Sequence, residues 1–238
     1  SLAMIAEEGL PFLALERIID SIASQARRSG VAIVTGDFKV VEKGACDKLF
    51  ITTAGVGDLV AEDELSTAKV RPGDAIIVTG QIGRHGLAVL TARKNMDVGF
   101  RIKSDCAALH GLVLPLLRRV KGVRFMRNPT RGGLATVLNE VAEATQLGAH
   151  IYEKEIPLSS QVKVACELLG MDPLYLANEG VAVIVVAHGE ASRAIACLKK
   201  YPLGRNARVV GSFLKKPAGR VVMTTVVGTQ RIVDTLSS

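Results

Sequence analysis

The sequence has no tryptophan, and aromatic residues make up 4% of its 238 positions. That scarcity argues against a surface that binds nucleic acid by stacking bases on rings. The four cysteines, Cys46, Cys106, Cys166 and Cys197, contain no CxxC pair. A structural zinc site or a dithiol redox motif is therefore unsupported, and reduced cytoplasmic thiols are the simplest reading. His85, His110, His150 and His188 are equally scattered and form no metal-spaced cluster. No apolar run approaches the roughly 20 residues that span a bilayer. The opening Ser1-Leu2-Ala3-Met4 has no basic segment ahead of an apolar one. No secretory signal is expected, and the chain reads as starting inside a longer one.

What is present is apolar. Hydrophobic residues make up 48% of the chain, enough for one large domain or two small ones. The net charge of +7 comes from 30 basic and 23 acidic residues. The basic residues include short pairs such as Arg27-Arg28 and Lys215-Lys216. A solvated face explains such pairs, and a weak preference for polyanions or nucleotides is the other reading.

The chain turns on Asn128-Pro129-Thr130-Arg131-Gly132-Gly133. The run Val123 to Arg127 before it predicts a strand. Leu134, Val137, Leu138, Val141 and Ala142 after it recur at three and four, which predicts an amphipathic helix. Asn128 or Thr130 is expected to cap that helix. Bare N–H groups at a helix start favour an anion, and the Arg131 fork suits phosphate. Two readings fit this turn: a phosphate cradle, or a capped helix start whose glycines allow tight packing.

Taken in order, Leu2 to Ile5 predicts a strand, and Leu13, Ile18, Ile19, Ile22 and Ala26 a helix ending at Ser29-Gly30. Val31 to Val34 predicts a buried strand that breaks at Thr35-Gly36-Asp37, before a polar segment with Lys39 and Glu42. Asp37 at such a strand end could hold a metal ion, or simply form the turn. Leu49 to Ala54 predicts another strand. Gly57-Asp58 and Glu62-Asp63-Glu64 read as a boundary. A strand over 75–79 leads into Gly80, Gly83 and Gly86, whose spacing departs from the dinucleotide fingerprint G-x-G-x-x-G, so that fold is rejected. A helix is expected from Leu87, with His85 as a catalytic candidate or a structural residue. Asp105 to Val120 predicts a helix kinked or broken at Pro115. Ile151 to Ile156 predicts a strand, and Ser159 or Ser160 caps a helix to Leu169. Ala177-Asn178-Glu179-Gly180 feeds a buried strand over 181–187. A helix over 190–200 and strands at 209–210, 220–227 and 228–232 follow. The order predicts an α+β or mixed α/β fold.

Several strings together carry a resemblance: Thr35-Gly36-Asp37 with Lys39-Val40-Val41, Lys48-Leu49-Phe50-Ile51, Thr130-Arg131-Gly132-Gly133, Ala177-Asn178-Glu179-Gly180 and Tyr201-Pro202-Leu203-Gly204. In this order they closely resemble the HypE family of hydrogenase maturation factors, which belongs to the superfamily of aminoimidazole ribonucleotide synthetase and selenophosphate synthetase. The resemblance covers residues 1–238. It implies an aminoimidazole ribonucleotide synthetase-like two-domain architecture. Residues 1–57 would be an incomplete first domain, ATP-binding and dimer-forming, and 58–238 the C-terminal α/β domain.

It further implies a cytoplasmic, ATP-dependent carbamoyl dehydratase that uses magnesium. The carbamoyltransferase HypF would load a C-terminal cysteine. ATP-driven loss of the carboxamide oxygen would leave a thiocyanate, and its cyanide would pass to iron on the HypC–HypD complex. A homodimer is expected, with no nucleic acid or membrane partner. By this similarity Asp37, Lys39, Thr130, Arg131, Gly132, Gly133, Asn178 and Glu179 would bind ATP or its phosphates in a shared hollow. Asp37 and Asn128 would be the metal candidates. The family usually has Asp where Asn128 stands. It also ends in a cysteine, whereas this chain ends Asp234-Thr235-Leu236-Ser237-Ser238, and the four internal cysteines are poor substitutes. No catalytic residue is therefore expected within this chain, which is read as inactive alone. The rivals are a sibling synthetase and a non-catalytic docking module for maturation partners.

Overall fold

Alternating apolar strands and striped helices build two units, Ser1–Val60 and Ala61–Ser238, in the computed structural model. The structure describes residues 1–60, 65–94, 96 and 98–235. Glu62-Asp63-Glu64 lie outside the described residues. The architecture is mixed α/β, as expected.

The first unit is a three-stranded sheet with one helix. β1 (Leu2–Glu7) is central, parallel to β2 (Gly36–Val41) and antiparallel to β3 (Leu49–Thr53). The connection from β1 to β2 is α1 (Phe12–Ser29), which Gly30 ends in the left-handed conformation with its N–H on Ala26 and Arg27 carbonyls. This is the helix the stripe predicts, and its exit is a glycine cap.

The expected strand at 31–34 is absent. Leu2 pairs with Gly36 in the parallel register, so 31–35 is the end of the crossover. Val31, Ile33 and Val34 are exposed there. The strand falls instead on the segment read as polar, where Phe38 and Val40 alternate with Asp37 and Lys39.

The second unit carries a seven-stranded sheet. Its strands are β4 (Ala75–Val78), β5 (Val123–Arg127), β6 (Gly148–Tyr152), β7 (Val183–Val186), β8 (Arg208–Leu214), β9 (Val221–Thr224) and β10 (Gln230–Ile232), in the order β10-β9-β6-β8-β4-β7-β5. Among the described residues of this sheet, only the β6–β9 pair is parallel. The helices are α2 (Arg84–Arg93), α3 (His110–Arg119), α4 (Gly133–Thr145), α5 (Ser160–Leu169) and α6 (Ala191–Leu198).

Period-two alternation sends β4 and β7 residues to both faces. Ile76, Val78, Val183 and Val185 pack with Leu134, Leu138 and Val141 of α4. Ala75, Ile77, Ile184 and Val186 pack with Leu112 and Leu116 of α3 and Ala194 and Leu198 of α6. A third cluster joins Leu87 of α2 to Val162 and Ala165 of α5. Strands buried on both faces read as continuous apolar runs, which is why β4 and β7 stand out in the sequence.

Three boundaries differ from expectation. α2 starts at Arg84 rather than Leu87, because Gly83 already takes the left-handed cap conformation. β6 starts at Gly148, earlier than Ile151, because its register with β8 and β9 begins at Gly148 and Ala149. α3 starts at His110 rather than Asp105, and runs unbroken through Pro115.

Candidate functional site

Three loops meet at one end of the second unit's sheet. β4 and β5 both run antiparallel to β7. The segments leaving β4 and β5 and the segment entering β7 therefore share one end. Asn178, fully buried, ties all three together. Its Oδ1 accepts from the Gly83 N–H at 2.7 Å. Its Nδ2 donates to the carbonyls of Pro129 at 3.1 Å and Leu176 at 2.8 Å. The Asn178 N–H also donates to Pro129, at 3.0 Å. Both amide hydrogens of the side chain are thus spent on scaffold. A buried amide satisfied this way rigidifies what it joins.

The turn at 128–133 is built differently from the expected cap. Neither Asn128 nor Thr130 caps α4 through its side chain; the cap position is Gly132, at φ 72°. Gly133 follows at φ 61°, and a Cβ there would stand 2.4 Å from the Leu174 carbonyl and 2.7 Å from that of Leu176. The glycine pair thus meets the tight-packing reading directly, since the helix start presses on the 174–176 backbone. The same geometry leaves the first turn with no side-chain cap and no acidic residue. α2 likewise starts at a left-handed glycine with neither. Neighbouring backbone meets part of both starts: Gly86 of α2 donates to the Ala177 carbonyl at 2.9 Å, and Gly133 of α4 to that of Thr130 at 2.9 Å.

The cations sort by partner. Arg127 pairs with Glu140. Arg84 donates through Nε to the Lys103 carbonyl at 3.2 Å. Arg131 is exposed and has no ion-pair partner among the described residues. Thr130 is half-buried, its N–H donating to Asn128 at 3.1 Å. Asn128 is exposed. Tyr175 lies beside this region, where burial first and Asp172 second push its phenol pKa up.

A residue that sequence reasoning placed in a helix belongs here. Asp105 sits in an irregular stretch, and its Oδ2 accepts from the N–H groups of Glu179 at 3.2 Å and Gly180 at 3.0 Å. Ser104 beside it meets His85 Nδ1 at 2.9 Å. No local signal marks these contacts, because they join segments 74 and 75 residues apart.

Asp37 and Lys39 lie on the first unit. Two residues apart on β2, they point to one side of its sheet, and both are exposed. The Asp37 Oδ1 accepts from the Phe38 N–H at 2.9 Å, which leaves Oδ2 open. Asp37 is thus the second residue of a strand rather than a strand end. Among the described residues no group of three His, Cys, Asp or Glu side chains could hold a metal ion. No helix among them is long and apolar enough to cross a membrane.

Residues 71–224 match the family model of the AIR synthase related protein C-terminal domain. Carbamoyl dehydratase HypE of Cupriavidus necator is 48% identical over 235 residues, covering 99% of this chain and 67% of that protein. The chain belongs to the HypE carbamoyl dehydratase family. A solved HypE structure, described as hydrogenase maturation protein HypE in complex with ATP, superposes with a TM-score of 0.95 at 41% identity. It covers all of this chain and 72% of the HypE chain. A HypE–HypF complex gives the same TM-score and identity, covering 98% of this chain and 76% of that one. The HypE fold thus accounts for both units.

Proposed function

We propose that the chain serves the HypE reaction, an ATP-dependent dehydration of a carbamoylated cysteine to a thiocyanate during nickel–iron hydrogenase maturation, on an acceptor thiol other than its own four cysteines. The observation that carries this is the match of the whole chain to an ATP-complexed HypE at a TM-score of 0.95. The exposed Arg131 at the glycine turn adds a cation suited to phosphate.

An amide oxygen is a poor leaving group. In the proposed reaction the carboxamide oxygen attacks the γ-phosphorus of ATP, and ADP departs. The nitrogen then gives up its two protons. The C–O bond breaks with its electrons leaving on phosphate, and a C≡N bond remains on sulfur. The protein's share is to position and neutralise phosphoryl charge.

Arg131 would supply its exposed guanidinium to phosphate oxygens beside the Gly132-Gly133 turn. Thr130 adds a hydroxyl. Asn178 acts by holding the turn in place, and Glu179 lines the same end of the sheet. Asp37 and Lys39, one an acceptor and one a cation, are proposed as nucleotide-binding residues of the first unit. Magnesium that arrives on phosphates needs only one or two protein ligands. Asp37, with Oδ2 open, is one candidate ligand, and Asn128, with a neutral oxygen, is another. The ion would neutralise phosphoryl charge.

Residues 1–57 are proposed to belong to an ATP-binding, dimer-forming domain, and 58–238 to the C-terminal α/β domain. The exposed Phe38, Val40, Phe50 and Ile51 of the first unit's sheet support a homodimer. A HypF-type carbamoyltransferase, a HypC–HypD complex and a cytoplasmic location complete the proposal. Mass spectrometry of a carbamoylated cysteine acceptor tests it. With this protein and ATP, one water mass is lost from the acceptor; a carbamoyl group that persists with ATP present overturns the proposal.

A further inference from the structure

Asp105 is spent on a single task. Its Oδ2 takes two consecutive backbone N–H groups, those of Glu179 and Gly180. Its Oδ1 is buried and has no hydrogen-bond partner among the described residues. A carboxylate half withdrawn from water for two amides costs desolvation that an ordinary loop contact does not require. The fit is close on the other side as well. A Cβ on Gly180 would fall 1.8 Å from the Asp105 carbonyl oxygen, so the two backbones touch. Ser104 anchors the segment from behind, taking the Cys106 N–H at 3.0 Å and meeting His85 at 2.9 Å. Asn178, the residue before Glu179, is itself fixed by its side-chain hydrogen bonds to Gly83, Pro129 and Leu176. Glu179 is therefore held from both directions, and its half-buried carboxylate makes no hydrogen bond or ion pair among the described residues.

We propose that Asp105 is a positioning residue for Glu179, clamping its backbone so that its carboxylate is fixed at the sheet end where the nucleotide and carboxamide react. This rests on the reading of Glu179 as a residue lining that site. A carboxylate that accepts two N–H bonds is a stronger clamp than a neutral oxygen. An Asn side chain at 105 offers a weaker acceptor of the same shape, and Ala offers none.

The test measures ATP-dependent turnover of the carbamoylated acceptor and the unfolding midpoint, for Glu179→Gln, Asp105→Asn, Asp105→Ala and the two double variants. Asp105→Ala is expected to lower kcat roughly ten- to a hundredfold, the size of a lost charged hydrogen bond. Asp105→Asn should recover most of that, losing a few-fold. In the Glu179→Gln background both losses should vanish, because a residue acting only through Glu179 has nothing left to position. A structural role would instead add its full loss in that background, and that result overturns the inference while leaving Glu179 in the site. Glu179→Gln with unchanged turnover overturns the underlying reading and the inference with it. Should Asp105→Ala fail to fold, the Asp105→Asn pair decides by the same comparison.

Discussion

Replacing Asn178 by Ala tests whether the three-loop staple is what holds the candidate site. The substitution removes three side-chain hydrogen bonds. Pro129 keeps a donor, the Asn178 N–H. The Gly83 N–H and the Leu176 carbonyl are left without their partner in a fully buried place. Each such group costs about 1–3 kcal/mol, so the loss should be about 2–6 kcal/mol. At an unfolding slope of about 2–3 kcal/mol/M in urea, the midpoint should fall by about 0.7–3 M. Asn178→Asp should be worse. A carboxylate can still accept from Gly83, but it cannot donate to Pro129 and Leu176, and it places a charge against two carbonyl oxygens. Equilibrium urea unfolding followed by circular dichroism reads both. A loss under about 0.5 kcal/mol for Ala, or an Asp variant more stable than the Ala variant, would refute the reasoning.

Other outcomes follow from the same geometry. Gly133→Ala should destabilise by about 2 kcal/mol or more in the same assay, since it combines positive φ with a clash against the Leu174 carbonyl. Ser159→Ala removes the acceptor of the Val162 N–H at the start of α5 and should cost about 1 kcal/mol. Burial, with Asp172 and Glu167 nearby, pushes the Cys166 thiol up to about 11. At pH 8 a thiol reagent should therefore label exposed Cys106 well before buried Cys166. The folded state then holds the Cys166 proton more tightly than the unfolded chain, whose thiol has the ordinary value of 9.0. The stability this gives is full below about pH 9 and fades as pH rises toward about 11. A Cys166→Ser variant should show a flatter pH dependence of the urea midpoint across that range.

Elements with their own stop signals were legible in the sequence. α1 carries a stripe and a glycine exit, α5 an Ser159 cap and Gly170, and β4 and β7 unbroken apolar runs. What was not legible depends on partners distant in sequence. Val31 to Val34 looks like a strand, but the β1 register reaches β2 five residues later. Asp105 looks like the start of a helix because Leu109 and Leu112 follow at helical spacing, while its carboxylate answers to residues 179 and 180. The 128–133 turn is legible as a turn, yet its cap is not the side chain of Asn128 or Thr130, because the packing against 174–176 demands glycine there. The Asn178 pair was visible only as a polar turn, since nothing local tells that its amide reaches Gly83 and Pro129.

Calorimetric titration of ATP with magnesium into the protein and into Arg131→Ala tests the phosphate reading of the turn most directly. Losing a charge-assisted bond of about 1.5–3 kcal/mol should weaken binding roughly ten- to a hundredfold. Measurable binding by the protein and that much weaker binding by the variant is the result expected. Equal affinities, or negligible heat from both, would contradict it.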